Sequence, residues 1–368
     1  MAWASVTVFA FAVLLVVGCS DKSTGPGSSG SGFEWTTAPP EEHGFDSALL
    51  DTLTAKTAAG EFGRITSLLI VRSGFLIYEQ YFRGVEQDDL VNVYSCTKSV
   101  TAALLGIAMN EGYIGGVGDK LFDYLDGYDL YPRGALDSAS RAGITLEHLL
   151  TMTAGFSWEE MDIAYGEPEN SYTQMVATDD YIQFVLDQPV VHAPGTYFEY
   201  NTGLSGLMAV VLENSTGRRV DDYAREKLLR AIGIDTCIWR IGPNDVPMTG
   251  NGLKLRPRDM AKFGWLYSQN GEWQGTAIVP ATWVAQSCQR HVSFSDAQGY
   301  GYQWWIAAMS DDDVGVFDTP YALGWGGQHI LVPPVYDVVI VVTADDDQDV
   351  SGQYIGDIVN RIGDAFSP

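Results

Sequence analysis

The chain has 368 residues, of which 46% are hydrophobic and 18% charged, so it can bury a sizeable core and lacks the composition of a disordered protein. It contains 47 acidic and 21 basic residues, which gives a formal net charge of −26 at pH 7. Because affinity for a phosphate backbone depends on clustered Lys and Arg, this balance argues against a nucleic acid as a partner.

The chain begins with an apolar segment that has no charged side chain, residues 2–18, and small residues end it directly before Cys19. The segment is shorter than the roughly 20 residues of a membrane-spanning helix, and a Ser/Gly-rich linker follows over residues 19–32. We therefore predict a signal peptide over residues 1–18. Its end resembles the lipobox of a bacterial lipoprotein, which implies an exported protein anchored in the cell envelope through lipidated Cys19. A plain membrane anchor or a misassigned start codon is the alternative.

The hydrophobic pattern predicts strands towards both ends of the chain and helices in the middle. After a helix over residues 46–58, two apolar runs joined by Arg72-Ser73-Gly74 predict a β-hairpin. Further helices are predicted over residues 99–111, 144–152, 180–188, 204–214 and 354–366, and strands over residues 302–308, 329–332 and 336–343. This order indicates a discontinuous sheet domain, residues 33–100 and 245–368, with a helical domain, residues 101–244, inserted in it. A cleft between two such lobes is a common place for a ligand site.

The cysteines and histidines do not form a recognisable metal-binding pattern. The sequence has no CxxC pair, and its five histidines are far apart, with no HExxH helix. We therefore predict neither a metal ion nor an organic cofactor. With Cys19 assigned to lipidation and Cys96 beside a motif described next, Cys237 and Cys288 remain as candidates for a disulfide. Export permits that bond, and two buried thiols are an equally good interpretation.

Ser95 and Lys98 are the candidate nucleophile and base. They lie where a strand-rich segment gives way to an apolar helix. Residues three apart on a helix share a face, so the hydroxyl and the amine can form the hydrogen bond that such a pair requires. An exposed lysine has a pKa of about 10.4, so Lys98 must be desolvated or lie beside positive potential to accept a proton at neutral pH.

Two further segments can complete a catalytic site. Tyr200 follows a Pro-Gly turn at residues 194–195 and offers a hydroxyl that could relay a proton. The glycine-rich stretch of residues 324–328 precedes a predicted strand, and its backbone N–H groups could stabilise an oxyanion.

Four segments resemble stretches of the serine β-lactamase and penicillin-binding-protein superfamily on its class C side, in the same order: residues 95–108, 144–156, 258–264 and 324–328. Within this group, the chain is most similar to family VIII carboxylesterases and nylon-oligomer hydrolases. The resemblance implies an α/β (α+β) fold of the β-lactamase/transpeptidase type, with an antiparallel sheet flanked by terminal helices and a mainly helical insertion. It implies Ser95 as the acylated nucleophile, Lys98 as its base and Tyr200 as the proton shuttle to the leaving group. The backbone N–H groups of Ser95 and Gln328 would form the oxyanion hole.

Two departures from the family pattern bear on the substrate. The Tyr-x-Asn triad reads Tyr200-Asn201-Thr202, so the amide that contacts a β-lactam side chain is displaced or absent. The Lys-Thr-Gly motif is replaced by Trp325-Gly326-Gly327, which removes the cation that would hold a substrate carboxylate. Losing such a charge-assisted contact costs about 1.5–3 kcal/mol. We therefore expect Trp325, Gly326 and Gly327 to bind a neutral ester or amide rather than an anionic β-lactam.

The sequence thus predicts a serine hydrolase that acts through an acyl-enzyme on small esters or amides. We expect it to be attached to a membrane only through its N-terminal lipid anchor. A β-lactamase or a D-alanyl-D-alanine carboxypeptidase is the alternative among enzymes. A non-catalytic penicillin-binding-like sensor of cell-wall peptides is the alternative among binding proteins, although such a module needs no base beside its serine. An α/β-hydrolase is disfavoured because the sequence has no GxSxG elbow.

Overall fold

The structure is a computed structural model that describes residues 33–131, 138–311, 314–346 and 354–366. The signal peptide and Cys19 anchor predicted above lie outside the described residues. The strands are β1 (Ile65–Arg72), β2 (Phe75–Tyr81), β3 (Val91–Asn92), β4 (Ile238–Trp239), β5 (Leu253–Leu255), β6 (Glu272–Trp273), β7 (Thr276–Ala277), β8 (Val292–Ser293), β9 (Gln298–Tyr300), β10 (Trp305–Asp311), β11 (Gly315–Gly324), β12 (Gln328–Leu331) and β13 (Val338–Ala344). The α-helices are α1 (Ser47–Ala58), α2 (Cys96–Asn110), α3 (Ser138–Gly143), α4 (Leu146–Leu150), α5 (Ser171–Val176), α6 (Tyr181–Asp187), α7 (Thr202–Thr216), α8 (Val220–Ala224), α9 (Pro257–Ser268), α10 (Ala281–Ser287) and α11 (Ile355–Asp364).

The main sheet joins the two ends of the chain. Its order is β2-β1-β13-β12-β11-β10-β9-β8, and each neighbouring pair is antiparallel. The predicted hairpin, β1 and β2, is present and pairs through β1 with the late strand β13. Every residue of β13 is buried, as expected for an unbroken apolar run covered on both faces. The predicted mixed fold with an antiparallel sheet is therefore confirmed.

The central strands distribute their side chains to two apolar layers. Leu68, Ile70 and Ile340 belong to the core cluster that contains α1 and α11 residues, whereas Leu69 and Val341 belong to the larger cluster that contains α2, α7 and α9 residues. This separation follows from the period of two along a strand. The terminal helices thus cover one face of the sheet, and the site-bearing helix α2 lies on the other.

Helix α2 is buried on all sides: every residue from Cys96 to Ala108 is buried, and most of them are small or apolar. A helix of this composition is stable only inside a core, and small residues let its neighbours approach closely. At Gly106, an added Cβ would lie 2.3 Å from the ring of Trp283. Close packing therefore fixes the position of α2 and, with it, of the residues at its first turn.

A second small sheet, β3-β5-β4, lies near the start of α2. It includes β4, at residues 238–239, within the range predicted to be helical. The division into a sheet domain and a helical insertion remains a prediction. Cys237 and Cys288 are thiols in the structure, so no disulfide joins them. Among the described residues, no helix has both the length and the apolar character needed to span a membrane.

Candidate active site

Ser95 lies directly before the first residue of α2, and its side chain makes no capping hydrogen bond to the helix. The preceding residue, Tyr94, has a left-handed backbone with φ of 44°. A non-glycine residue in this region costs about 1–3 kcal/mol, and such strain is concentrated at functional sites. The serine hydroxyl is therefore available for other partners, and the chain reaches it through a strained turn.

Lys98 lies one turn further along α2 and is 1% exposed, so it is not a solvated surface lysine. Its amine donates to Ser95 Oγ at 3.0 Å, Thr202 Oγ1 at 2.9 Å and the carbonyl of Gly250 at 2.8 Å. Desolvation lowers the pKa of Lys98 to about 8, although the charge of Glu160 opposes this shift. Roughly a tenth of the amine is then neutral at pH 7, far more than for an exposed lysine.

Tyr200 completes the group around the serine. Its side chain is hydrogen-bonded to Ser95, and the Lys98 Nζ lies 4.9 Å from the centroid of its ring. The ring stacks on Trp305 with 5.7 Å between centroids, which fixes its orientation. Desolvation and the nearby Glu160 raise the pKa of Tyr200 above its ordinary value. The phenol therefore keeps its proton at neutral pH, while the lysine readily releases one.

Glu160 is a fourth functional side chain that the sequence analysis missed. It is 1% exposed and accepts four hydrogen bonds. The donors are Trp158 Nε1, Tyr165 OH, and the backbone N–H and hydroxyl of Thr202. Trp158 and Tyr165 lie near Glu160 in sequence, but Thr202, the partner that links it to Lys98, lies 42 residues further along the chain, so no local pattern separates Glu160 from its neighbour Glu159.

Asn201 and Thr202 explain the departure from the Tyr-x-Asn triad. The Asn201 side chain caps α7 by accepting from the backbone N–H of Leu204, and Asn201 is buried. Thr202 instead contacts Lys98, through its hydroxyl. The amide is thus committed to the helix end, and a hydroxyl takes the place beside the lysine.

The stretch of residues 324–328 lies against the start of α2. Gly326 and Gly327 have positive φ values of 76° and 91°, so the tight turn into β12 requires glycine at both positions. The carbonyl of Gln328 accepts a weak hydrogen bond from Cys96 Sγ at 3.6 Å, which places the beginning of β12 beside the residue after Ser95. The Gln328 side chain turns back to the backbone of Ala344, donating to its carbonyl at 2.7 Å.

A cavity of about 150 Å³ opens over Ser95. Trp325 packs edge-on against the rings of Tyr94 and Tyr165, with centroid distances of 5.5 and 6.4 Å. Asn251 donates to the hydroxyl of Tyr172, and both residues line the same cavity. Among the described residues, those that line the cavity include no lysine or arginine. The lining residues are Tyr94, Ser95, Glu160, Tyr165, Tyr172, Thr202, Asn251 and Trp325.

The structure thus brings Ser95, Lys98, Tyr200 and Trp325 together, as the sequence predicted, and places Gln328 beside them. Among the described residues, no cluster of His, Cys, Asp and Glu has the arrangement of a metal site.

Several solved structures share this fold at low sequence identity. A protein described as a 6-aminohexanoate-dimer hydrolase, from Bacillus anthracis, superposes with a TM-score of 0.74 at 18% identity, over 95% of this chain and 91% of its own. A family VIII carboxylesterase superposes with a TM-score of 0.65 at 16% identity, over 89% of this chain and 99% of its own. A penicillin binding protein from Bacillus halodurans gives a TM-score of 0.64 at 18% identity, over 84% and 99%.

These likenesses establish the fold, and a family model establishes the relationship. The model of the Beta-lactamase family matches residues 64–360, which include every strand of the main sheet and all of the site residues named above. The chain is therefore a member of the Beta-lactamase family of serine hydrolases.

Proposed function

We propose that the protein hydrolyses small, neutral esters or amides through an acyl-enzyme formed on Ser95. The observation that carries this proposal is the buried amine of Lys98, 3.0 Å from Ser95 Oγ and with its pKa lowered to about 8. A neutral amine at this distance is a competent general base for a serine hydroxyl. The reaction then needs a proton donor for the leaving group and a site for the oxyanion.

In the first step, Ser95 Oγ attacks the carbonyl carbon of the substrate and its proton passes to the Lys98 amine. The negative charge that develops on the carbonyl oxygen is stabilised by the backbone N–H groups of Ser95 and Gln328. The C–O or C–N bond breaks as Tyr200, protonated at neutral pH, gives its proton to the leaving group. Lys98 then returns a proton to the phenolate through the hydrogen-bonded group around Ser95.

In the second step, a water molecule attacks the acyl-enzyme. The neutral amine of Lys98 takes a proton from this water, and the collapse of the second tetrahedral intermediate returns that proton to Ser95 Oγ and releases the acid. The opposite shifts of the two pKa values support this division of roles: lysine as the base and tyrosine as the donor.

The preference for a neutral substrate follows from the cavity. Half of its lining residues are aromatic and none is a lysine or arginine. Trp325 stands where the family pattern has a lysine, so no cation in the lining can hold a carboxylate. A volume of about 150 Å³ suits a short acyl chain. Two structural neighbours are named a family VIII carboxylesterase and a 6-aminohexanoate-dimer hydrolase. These names describe an ester hydrolase and an amide hydrolase, and they support the same two substrate classes for this protein.

The test compares hydrolysis of p-nitrophenyl butyrate and of a chromogenic cephalosporin by the purified protein. We expect faster turnover of the butyrate, and a loss of on the order of 1000-fold or more in kcat for Ser95→Ala. Ser293→Ala, which truncates an exposed serine on β8, is the matched control and should retain full activity.

Other outcomes would separate the alternatives. Faster turnover of the cephalosporin would contradict the substrate proposal and indicate a β-lactamase. Covalent labelling of Ser95 by penicillin without turnover of either compound would indicate a binding module.

A further inference from the structure

Thr202 connects Lys98 to the buried carboxylate of Glu160. Its Oγ1 accepts a hydrogen bond from Lys98 Nζ at 2.9 Å and lies 2.5 Å from Glu160 Oε1. Its backbone N–H donates to the other carboxylate oxygen at 2.8 Å. The carboxylate therefore holds Thr202 at two points and reaches the lysine through one hydroxyl group.

The direction of these bonds is fixed by the number of protons. A threonine hydroxyl has a single proton and an ionised carboxylate has none, so the short contact with Glu160 uses the Thr202 proton. The Thr202 oxygen can then only accept from Lys98. The carbonyl of Gly250 can likewise only accept. A neutral Lys98 amine has two protons, and these two acceptors use both of them, so its lone pair must face the third neighbour, Ser95 Oγ.

We propose that Glu160 is a positioning residue that, through the hydroxyl of Thr202, directs the lone pair of the Lys98 amine towards Ser95. Without a carboxylate at this place, Thr202 could donate its own proton to the amine and turn the lone pair away from the nucleophile. This inference rests on the proposed roles of Ser95 and Lys98. It adds a residue that reaches the base through Thr202 rather than by a hydrogen bond of its own.

The charge of Glu160 also acts on Lys98 directly. The titratable groups that face Lys98 are Cys96 on its own helix, Glu160 on the loop after Trp158, and Tyr200 before α7. Burial raises the pKa of both the Cys96 thiol and the Tyr200 phenol, so these two groups are neutral. Glu160 is the charged member of this set, and it favours the protonated lysine.

Further groups surround Glu160 itself. Burial and the Glu160 charge raise the pKa of the Tyr165 phenol, which is neutral and donates to the carboxylate. Desolvation, with Glu159, Asp162 and Glu160 nearby, raises the pKa of Glu199 to about 7.

An opposite charge close to a titratable group shifts its pKa by about one to three units. Removal of the Glu160 charge should therefore lower the pKa of Lys98.

The test is the pH dependence of kcat/KM for p-nitrophenyl butyrate in Glu160→Gln. We expect the acid limb to move at least about one unit to lower pH, and the maximum at high pH to fall at least about tenfold because the lone pair is no longer directed. Glu159→Gln removes an equal charge from the neighbouring residue and is the matched control, with an unmoved acid limb. A purely structural role for Glu160 would lower the melting temperature and the activity without moving the limb.

A second pair of variants tests the hydroxyl without altering the charge. Thr202→Val keeps the shape of the side chain but removes the oxygen that accepts from Lys98, and should lower the maximum by a similar factor. Thr202→Ser restores a hydroxyl and should recover most of the loss. Equal activity of the valine and serine variants would overturn the proposed role of the hydroxyl, whether or not Glu160→Gln folds.

A direct titration separates this inference from the proposed function. In protein labelled with ¹³Cε-lysine, the Lys98 signal is identified by its absence in Lys98→Met, and its pKa is read in the wild type and in Glu160→Gln. A lower Lys98 pKa in Glu160→Gln than in the wild type supports the inference, whether or not the wild type hydrolyses the test substrates. Failure of the wild type to hydrolyse either substrate would refute only the proposed function. An unchanged Lys98 titration together with an unmoved acid limb would overturn the inference alone.

Discussion

Lys98→Met should abolish catalytic activity and change the free energy of unfolding by an amount that depends on pH. The folded protein lowers the pKa of Lys98 to about 8 from an ordinary 10.5. The folded state therefore disfavours the charged amine, so stability is lost as the pH falls from about 10.5 to about 8 and stays reduced below that. At 1.36 kcal/mol per unit, the full deficit is about 3 kcal/mol. Methionine has a similar length and no charge, so it does not carry this deficit.

The substitution also has a cost that does not depend on pH. The carbonyl of Gly250 and the hydroxyl of Thr202 each lose a buried donor, at about 1–3 kcal/mol per group. The sign of the change at a single pH is therefore not diagnostic, whereas its variation with pH isolates the lysine. Linkage gives a difference of about 2 kcal/mol between about pH 6 and about pH 9.5, with the variant favoured more strongly at the lower pH.

The assay is urea unfolding at both pH values, followed by the fluorescence of the chain's 10 tryptophans. Lys56→Met, at a partly exposed lysine paired with Glu61, controls for the loss of one positive charge from an acidic protein. Esterase activity should be absent in Lys98→Met at either pH. A stability difference that is the same at both pH values would refute the reasoning, because it would mean that Lys98 is not desolvated at the cost described.

Two further substitutions test the electrostatics of the site and the packing of the sheet. Glu199→Gln should raise the melting temperature at about pH 8 and less so at about pH 5, because desolvation and the neighbouring carboxylates raise the pKa of Glu199 to about 7 and so disfavour its charged form. An equal rise in melting temperature at both pH values would contradict this. Gly264→Ala should destabilise by about 1–3 kcal/mol, since its Cβ would lie 2.5 Å from Val339 Cγ1. Gly363→Ala, in a helix with open space around it, should instead stabilise by about 0.5–1 kcal/mol, and similar changes in thermal unfolding for both glycines would contradict the packing argument.

The parts of the fold that depend on local periodicity were predictable from the sequence. The hairpin of β1 and β2, the apolar strand β13 and the terminal helix α11 all follow from spacing along the chain, and they appear within a few residues of the predicted bounds. Strand β11 was not predicted. It contains Pro320 and Asp318, which lower the strand propensity of its segment, and its pairing with β10 and β12 supplies the stability that its sequence lacks.

The candidate site also contains residues that the sequence predicts and one that it does not. Ser95 and Lys98 were predictable because both lie on one turn of one helix, and Tyr200 because a resemblance assigned its place. Glu160 was not, because the contact that links it to Lys98 is made through Thr202, which lies 42 residues further along the chain. The role of a buried carboxylate is set by what surrounds it, and one sequence does not give those neighbours.

The pairing of early and late strands determines when the enzyme can first work. The hairpin of β1 and β2 and the nucleophile are synthesised early, but the hairpin's partner, β13, and the Gln328 segment come near the end of the chain. Near the two ends of the described chain, Phe45 and Phe366 form a β-bridge that joins these ends. A nascent chain, or one truncated before β12, therefore carries Ser95 and Lys98 without Gln328 and without β12, one of the two main-sheet strands that α2 contacts most. The two N–H groups of the proposed oxyanion hole, those of Ser95 and Gln328, can therefore meet only after β12 has been synthesised.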